Sequence, residues 1–302
     1  MSELGPLAVA PPAPEPDHVP RKWNAALVVG LVLVGFVVLL AVVSYVWTPY
    51  SPTRTTRDNL ATMSWSHPLG ADRSGIDVLS QIMVGARTTL YVGIVAVAIA
   101  ALIGVPLGAL AAQRGGWLGE GVMRVNDVVY AFPALLLAIM LAAAYGASTT
   151  TAMVAIGIAS IPVFARLTRA SALQVLASEY VMAARASGRR SIAVFFRHVL
   201  PNVAPVLIVQ GTVLFALAVL AEAALSYLGL GTPIPTPSWG RMLRDSQTFF
   251  DQRPTLALFP GLAIAVAVLG FNLLGDGLRD VLDPKLRRGR GGRRRKAAAG
   301  AD

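Results

Sequence analysis

Long apolar stretches alternate with short charged segments along most of the chain. The first stretch, Ala25–Trp47, has 23 residues without a charge. At about 1.5 Å per helical residue it can cross a hydrocarbon core of roughly 30 Å. It is longer than the h-region of a signal peptide, which has about 7–15 residues, so we predict an uncleaved first span. Five further apolar stretches bring the number of predicted membrane helices to six. These stretches are Thr88–Ala112, Val128–Tyr145, Thr150–Ala165, Val203–Ala221 and Leu256–Leu274.

The composition supports an all-α membrane protein with several spans. Hydrophobic residues make up 55% of the 302 residues, and the mean hydropathy is +0.62. Charged residues make up only 14%, against about 25% in soluble domains, which is too little to cover a water-facing surface. The predicted membrane domain is 23–284, with two long segments on one side of the membrane, Thr48–Arg87 and Ala223–Thr255.

The distribution of Lys and Arg predicts the orientation. The net charge is +10, and an excess of basic residues on the cytoplasmic side is the usual cause in membrane proteins. With a cytoplasmic N-terminus, 19 of the 26 Lys and Arg residues lie inside and 7 outside. We therefore predict that both termini are cytoplasmic.

Both ends of the chain are predicted to be tails. Residues 1–22 contain six prolines without an apolar period, which is typical of disorder. Residues 285–302 form a basic tail that we expect to touch anionic lipid headgroups. No aromatic residues or folded module accompany this tail, so we expect no nucleic-acid partner.

Motifs of covalent and metal chemistry are missing from the sequence. There is no GxxxxGK[ST] phosphate loop, no HExxH, no GxSxG and no cysteine. The three histidines, His18, His67 and His198, are too scattered to suggest a metal site. We therefore expect a protein that is not an enzyme and that binds no cofactor or metal of its own.

The connection 166–202, between the fourth and fifth predicted spans, is much longer than the roughly 2–8 residues that neighbouring helices need. Apolar residues at three- and four-residue steps give it one amphipathic face: Leu173, Leu176, Tyr180, Val181 and Ala184. Gly188 is expected to end that helix with a positive φ. A second amphipathic piece, Ile192–Leu200, ends at Pro201. This helix–turn–helix pattern fits a docking surface and a loop packed on its own bundle equally well.

Two parts of this connection resemble the cytoplasmic EAA loop of ABC-importer permeases: Glu179–Gly188 (EYVMAARASG) and Arg197–Asn202 (RHVLPN). Met182 stands where the general pattern has Glu, and His198 where it has an apolar residue. The resemblance implies a loop that couples the permease to an ATPase. The residues it assigns to that loop are Glu179, Tyr180, Ala183, Ala184, Gly188, Arg197, His198 and Pro201.

Three other motifs extend the resemblance to most of the chain. His67–Arg87, Glu222–Gly240 and Phe271–Pro284 are similar to the C-type subunit of the dipeptide/oligopeptide/nickel permease family. The resemblance implies a type I ABC importer permease in the bacterial plasma membrane, working by alternating access. It also implies a B-type permease partner, an extracytoplasmic substrate-binding protein and two cytoplasmic ATPases that bind ATP and Mg.

The resemblance is compatible with several classes of substrate. Peptides are the commonest substrates that the resemblance implies, and nickel, other metal chelates, haem and glycosides are alternatives. An ion-coupled secondary transporter would normally carry ionisable residues at mid-span, and these spans have none. A channel or a structural scaffold would not need the long amphipathic connection.

Several single residues near span ends allow two interpretations. Glu222, at the outer end of the fifth span, is either a contact in the translocation path or with the binding protein, or a buried group that fixes the helix end. Trp239 is either an interfacial anchor or part of an outer gate. The remaining charged residues near span ends are expected to terminate helices: Arg124, Asp127, Asp276, Arg279, Asp280 and Asp283.

Overall fold

The computed structural model describes residues 25–282, which form a bundle of α-helices with short 3₁₀ and π segments. The predicted tails 1–22 and 285–302 lie outside the described residues. The α-helices are α1 Ala25–Val46, α2 Val78–Arg114, α3 Gly116–Ala131, α4 Ala134–Tyr145, α5 Thr149–Leu176, α6 Glu179–Ala186, α7 Ser191–Val194, α8 Leu200–Leu228, α9 Trp239–Ser246 and α10 Thr255–Leu282.

Five of these units are long and apolar enough to cross a membrane: α1, α2, α5, α10 and the continuous helix Ser191–Leu228. The last unit joins α7 to α8 through a π-helical turn at Phe195–Val199. The expectation that Pro201 ends a helix is therefore wrong. Proline lacks an N–H donor, and Pro201 follows this π-helical turn, where the α-helical hydrogen-bond pattern is already interrupted.

The third predicted span, Val128–Tyr145, is not one helix. It is replaced by α3 and α4, which meet at a bend of 80°. Phe132 is extended there, with φ −83° and ψ 128°, because the ring of Pro133 disfavours helical geometry in the preceding residue. The prediction of a continuous third helix is wrong for this reason.

The bent pair α3–α4 nevertheless connects the two ends of the bundle. At one end, residues 47–77 and 229–254 pack together and form what we call the cap, in which Arg253 Nε donates to the Leu60 carbonyl over 3.2 Å. The 37-residue α2 begins in the cap and ends far from it. At the start of α5, Thr149 hydroxyl donates to Thr232 of the cap over 3.2 Å. The chain therefore crosses the bundle between Arg114 and Thr149, which makes six crossings.

Close helix contacts hold α2 against α5. A Cβ on Gly104 would lie 2.7 Å from both the Ile161 carbonyl oxygen and the Phe164 Cβ, which leaves room only for glycine. Such contacts are common in membrane helices, because small residues let backbones approach closely. Phe164 is buried in this interface.

Three of the charged residues that were expected to terminate helices lie further inside them. Asp127 and Arg124 belong to α3, and Asp276, Arg279 and Asp280 belong to α10. Asp283 lies outside the described residues. The helix-terminating role is wrong for Arg124, Asp127 and Asp276, whereas Arg279 and Asp280 lie in the last turn of α10, where that role was expected. The apolar count ended the spans in α5, α8 and α10 too early, since a helix continues past the hydrocarbon boundary when its backbone hydrogen bonds can continue.

Candidate functional site

The short helix α6 stands between α5 and α7, in the segment 177–199, at the end of the bundle opposite the cap. Gly188 follows it with φ +81°, the positive value that the sequence predicts. Gly188 N–H donates to the Arg185 carbonyl over 3.0 Å, and Arg189 N–H donates to the Ala184 carbonyl over 3.3 Å. This pair of bonds is a Schellman motif, which satisfies the last carbonyls of a helix.

One side of α6 is anchored on the bundle. Val181 is fully buried in an apolar cluster with Val194 and Val199. Tyr180 is held at its edge, because Asn202 Nδ2 lies 3.4 Å from the Tyr180 hydroxyl and 2.6 Å from the His198 carbonyl oxygen, to which it donates. The Tyr180 and His198 rings make an edge contact at 5.9 Å. The position of α6 is therefore set by the start of α8.

Large apolar side chains are exposed on α6, on α7 and on the π-helical turn that follows. More than half of the surface of each of four such residues is exposed: Tyr180, Met182, Ile192 and Phe196. Exposed apolar side chains that lie together on a surface are typical of a protein interaction site. The structure thus combines both interpretations of this connection, since one side packs on the bundle and the other is open.

The eight residues assigned to the coupling loop differ in exposure. Ala184 and His198 are half-buried, and His198 Nε2 has no hydrogen-bond partner among residues 25–282. The other six are exposed: Glu179, Tyr180, Ala183, Gly188, Arg197 and Pro201. In the Ala183–Ala184 pair, Ala183 is exposed to solvent and Ala184 is half-buried.

Glu222 is fully buried near the end of α8 that faces the cap. Its Oε1 accepts hydrogen bonds from Ser226 at 2.7 Å, Ser238 at 3.0 Å and Thr232 at 3.3 Å. Its Oε2 has no partner among the described residues. Glu222 therefore ties the loop after α8 to the helix end, and its side chain is not available to a substrate in this conformation.

Arg241 extends this network into the cap. Its guanidinium donates to the Thr232 carbonyl. Burial lowers the pKa of Arg241, an effect that the nearby Asp245 opposes. Arginine stays protonated in proteins, so the group remains charged. The cap thus contains a fixed positive charge close to Glu222.

Trp239 belongs to the cap and is buried against α2. The expectation of an interfacial anchor is therefore wrong. Its Nε1 donates to the Ile82 carbonyl over 3.0 Å. A Cβ on Gly85 would lie 2.6 Å from the indole Cδ1, so the ring occupies the space that glycine leaves. The indole therefore holds α9 against α2 and faces no open path in this structure.

A second buried polar cluster fixes the other half of the cap. His67 Nδ1 lies 3.0 Å from Asp77 Oδ1, and the Asp77 carboxylate caps α2 by accepting from Ser80 N–H at 2.8 Å. The His67 ring also packs on Tyr50 at 4.6 Å. The sequence motif containing His67 and Asp77 indicated the family, but the pattern of single residues gave no sign of this contact, since the two are ten positions apart.

Sequence reasoning also missed an ion pair within the bundle. Arg166 Nη2 lies 2.7 Å from Asp127 Oδ1, and the guanidinium carbon lies 4.0 Å from the centre of the Tyr130 ring. Arg166 was placed at the end of a span and Asp127 at the start of another. Because α5 continues to Leu176, Arg166 lies well inside a helix. The signal that could have found the pair is two opposite charges on adjacent helices.

The fold and these sites define a multi-pass membrane permease. Residues 104–288 match the family described as the inner membrane component of binding-protein-dependent transport systems. The fold is also that of a chain in the MetNI methionine ABC transporter, seen in inward-facing conformations, with a TM-score of 0.56 and 18% identity. That alignment covers 67% of this chain and 96% of the transporter chain.

Curated relatives are similar in sequence along most of the chain. The dipeptide transport permease DppC of Alkalihalophilus pseudofirmus is 41% identical over 88% of both chains. The di/tripeptide permease DppC of Pseudomonas aeruginosa is 40% identical over 87% of this chain and 89% of its own. The glutathione permease GsiD of Pectobacterium atrosepticum is 42% identical over 74% of both. The chain belongs to the binding-protein-dependent transport inner membrane component family, with the fold of a type I ABC importer permease.

Proposed function

We propose that this chain is the C-type permease subunit of an ATP-driven importer of short peptides. The observation that carries the proposal is the connection around α6, which is anchored on one side and exposes Met182, Ile192 and Phe196 on the other. Relatives named for dipeptides, di/tripeptides and glutathione support a peptide substrate. Glutathione is itself a short peptide, so one class of cargo covers all three names.

The proposed assembly contains this chain, a B-type permease, two ABC ATPases and an extracytoplasmic binding protein. The sequence has no phosphate loop, so ATP and Mg would be bound by the ATPase subunits. The proposed location is the bacterial plasma membrane, with both termini and α6 on the cytoplasmic side and the cap outside. The 19-to-7 distribution of basic residues supports this orientation.

In the proposed mechanism, α6 fits a groove on an ATPase, and closure of the ATPase pair moves the permeases between two conformations. Movement of α6 would reach the bundle through Val181 and through the Tyr180–Asn202 contact, which join it to the start of α8. The chain's own role is conduction and mechanical coupling, with no covalent step.

The test replaces an exposed apolar side chain of α6 by a charge. Met182 is 51% exposed and Met63, in the cap, is 57% exposed, so Met182→Asp and Met63→Asp are matched variants at opposite ends of the bundle. A charge buried in an interface without a partner is strongly unfavourable. We expect Met182→Asp to lose co-purification of the ATPases, while Met63→Asp retains it.

Normal abundance of both variants in membranes is the control for folding. Uptake of dialanine by cells with the complete system provides the second measurement, and it should fall with Met182→Asp. If Met182→Asp keeps both the ATPases and full uptake, α6 is not the coupling element. If the wild-type system imports no dialanine, the assignment of peptides as cargo fails, and the coupling is then judged from ATPase co-purification alone.

A further inference from the structure

Three side chains of α3 and α5 meet on a face that the rest of the described chain leaves open. Arg166 Nη2 lies 2.7 Å from Asp127 Oδ1, with 37% and 58% of the two side chains exposed. The guanidinium also lies over the Tyr130 ring, at 4.0 Å from its centre. We call these residues the Asp127–Arg166–Tyr130 cluster.

The cluster lies beside the bundle's helices and not beyond their ends. At about 1.5 Å per residue, Arg166 lies roughly 26 Å from Thr149 and roughly 15 Å from Leu176 along α5. Asp127 and Tyr130 lie within the last turns of α3, just before the break at Phe132. Exposed charges in such a position are costly against lipid and mark ion or substrate pathways. Lipid is therefore a poor neighbour for this face.

The break between α3 and α4 is a second reason to expect protein or water, and not lipid, beside this cluster. Phe132 has extended backbone and is 47% exposed, so the break between α3 and α4 lies on the surface of the described chain. Irregular backbone at membrane depth is tolerated where it is covered by protein or lines a water-filled cavity. Discontinuous helices are also a common way to build substrate sites in transporters. Asp127 lies five residues before Phe132, so the exposed charge and the helix break belong to the same end of α3.

We propose that the Asp127–Arg166–Tyr130 cluster lines the substrate path and contacts the charged ends of a zwitterionic peptide, an inference that rests on the proposed function. The ion pair uses one oxygen of Asp127 and one nitrogen of Arg166. The remaining N–H groups of Arg166 fit a peptide carboxylate, and the second oxygen of Asp127 fits an ammonium group. Tyr130 keeps the guanidinium in place through its ring.

The first experiment measures whether water reaches the cluster. The sequence has no cysteine, so Asp127→Cys and Arg166→Cys each place a single thiol in this chain. The complete complex in membranes is treated with anionic and cationic methanethiosulfonate reagents, and modification of this chain is read after gel separation. Asp127→Cys leaves Arg166 beside the thiol, so it should react several-fold faster with the anionic reagent. Arg166→Cys leaves Asp127 and should show the opposite preference.

Two control positions define the limits of this measurement. Val32→Cys, 64% exposed on the apolar helix α1, should react with neither reagent, while Thr248→Cys in the cap should react with both. Raising the salt concentration should reduce the charge preferences at the cluster, because salt screens charges that water reaches. If both cluster thiols stay as unreactive as Val32→Cys, the face is covered by lipid or by the partner permease, and the proposal is overturned.

The second experiment separates substrate contact from helix attachment. Asp127→Arg combined with Arg166→Asp keeps an ion pair but exchanges the two charges. The single variants Asp127→Asn and Arg166→Gln remove one charge each. We expect the exchanged pair to keep normal abundance and ATPase co-purification, while dialanine uptake falls about tenfold, as for a lost charged hydrogen bond. Full uptake by the exchanged pair would mean that the residues only join α3 to α5, and would overturn the proposal.

The thiol pattern is independent of the proposed function, whereas the uptake comparison depends on it. Failure of wild-type dialanine uptake would contradict peptide import but would leave the thiol pattern intact. A wild-type system that imports dialanine while both cluster thiols are unreactive would contradict only the cluster's place in the path.

Discussion

Gly188 shows how one backbone conformation can matter without any side-chain contact. Its φ is +81°, and a Cβ added there would meet nothing within 4 Å. The cost of a side chain is therefore only that of the left-handed backbone, about 1 kcal/mol or more for a β-branched residue. We expect Gly188→Val to reduce uptake and ATPase co-purification, whereas Gly188→Asn should retain most of both, because asparagine tolerates this region.

Both Gly188 variants should reach normal abundance, since the position lies outside the helices that cross the bundle. Equal uptake by Gly188→Val and the wild type would show that the turn after α6 can change shape without loss of coupling.

Glu222 should contribute to stability through its three hydroxyl donors. Glu222→Ala leaves Ser226, Thr232 and Ser238 without their shared acceptor in a buried site, at a cost of about 1–3 kcal/mol. Glu222→Gln keeps a carbonyl oxygen that can accept the same bonds. We expect the midpoint of thermal unfolding in detergent to fall clearly with Glu222→Ala and less with Glu222→Gln. A similar midpoint for Glu222→Ala and the wild type would mean that the network carries little stability.

The sequence alone predicted the backbone conformation of Gly188 but not the hydrogen-bond partners of Glu222. The turn after α6 depends on residues within one helical turn, and its hydrogen bonds join Gly188 and Arg189 to Arg185 and Ala184. The partners of Glu222 include Ser238, sixteen positions later, so tertiary folding decides its surroundings. The sequence left two roles open for Glu222, and the structure favours the buried, hydrogen-bonding one.

At the scale of elements, the apolar pattern located the helices but missed the break in the third crossing. The stretch Val128–Tyr145 is apolar on both sides of Phe132 and Pro133, so a count of apolar residues passes over the bend. The backbone restriction before proline was the available signal. The pattern also placed Arg166 at a helix end, although α5 continues for ten more residues. That error hid its contact with Asp127.

The packing of α2 on α5 gives a prediction at the same scale. A side chain on Gly104 would overlap the backbone and Phe164 of α5, whereas one on Gly35 of α1 would meet nothing within 4 Å. Overpacking of this kind costs about 1–3 kcal/mol. We expect Gly104→Leu to lower the abundance and the thermal unfolding midpoint of the purified protein, while Gly35→Leu leaves both close to wild type.

The comparison is made on the isolated chain, because a partner subunit that packs on Gly35 in the assembled complex would also oppose a side chain there. Equal unfolding midpoints for Gly104→Leu and Gly35→Leu would show that α2 and α5 can separate enough to admit a side chain.

At the scale of the whole molecule, the two ends of the bundle have different architectures. The cap is held by buried polar networks around Glu222 and around His67 and Asp77. The opposite end carries α6, whose outer side has no covering within the described chain. An importer needs this asymmetry, because one end must receive substrate while the other couples to ATP hydrolysis. The sequence predicted both long segments and the amphipathic connection, since each interrupts an apolar stretch, but their internal contacts required the fold.

The orientation of these ends in the membrane gives the last prediction. The apolar stretches of the sequence predict that 19 of the 26 basic residues are cytoplasmic, and six crossings put both ends of the described chain on the same side of the membrane. Thr248 in the cap and Ser187 after α6 are both exposed, and the chain has no native cysteine. A membrane-impermeant thiol reagent applied to intact cells should label Thr248→Cys and miss Ser187→Cys. After the cells are permeabilised, Ser187→Cys should also be labelled, which shows that its thiol is reactive. Labelling of Ser187→Cys in intact cells would place α6 outside and remove it from contact with any cytoplasmic ATPase.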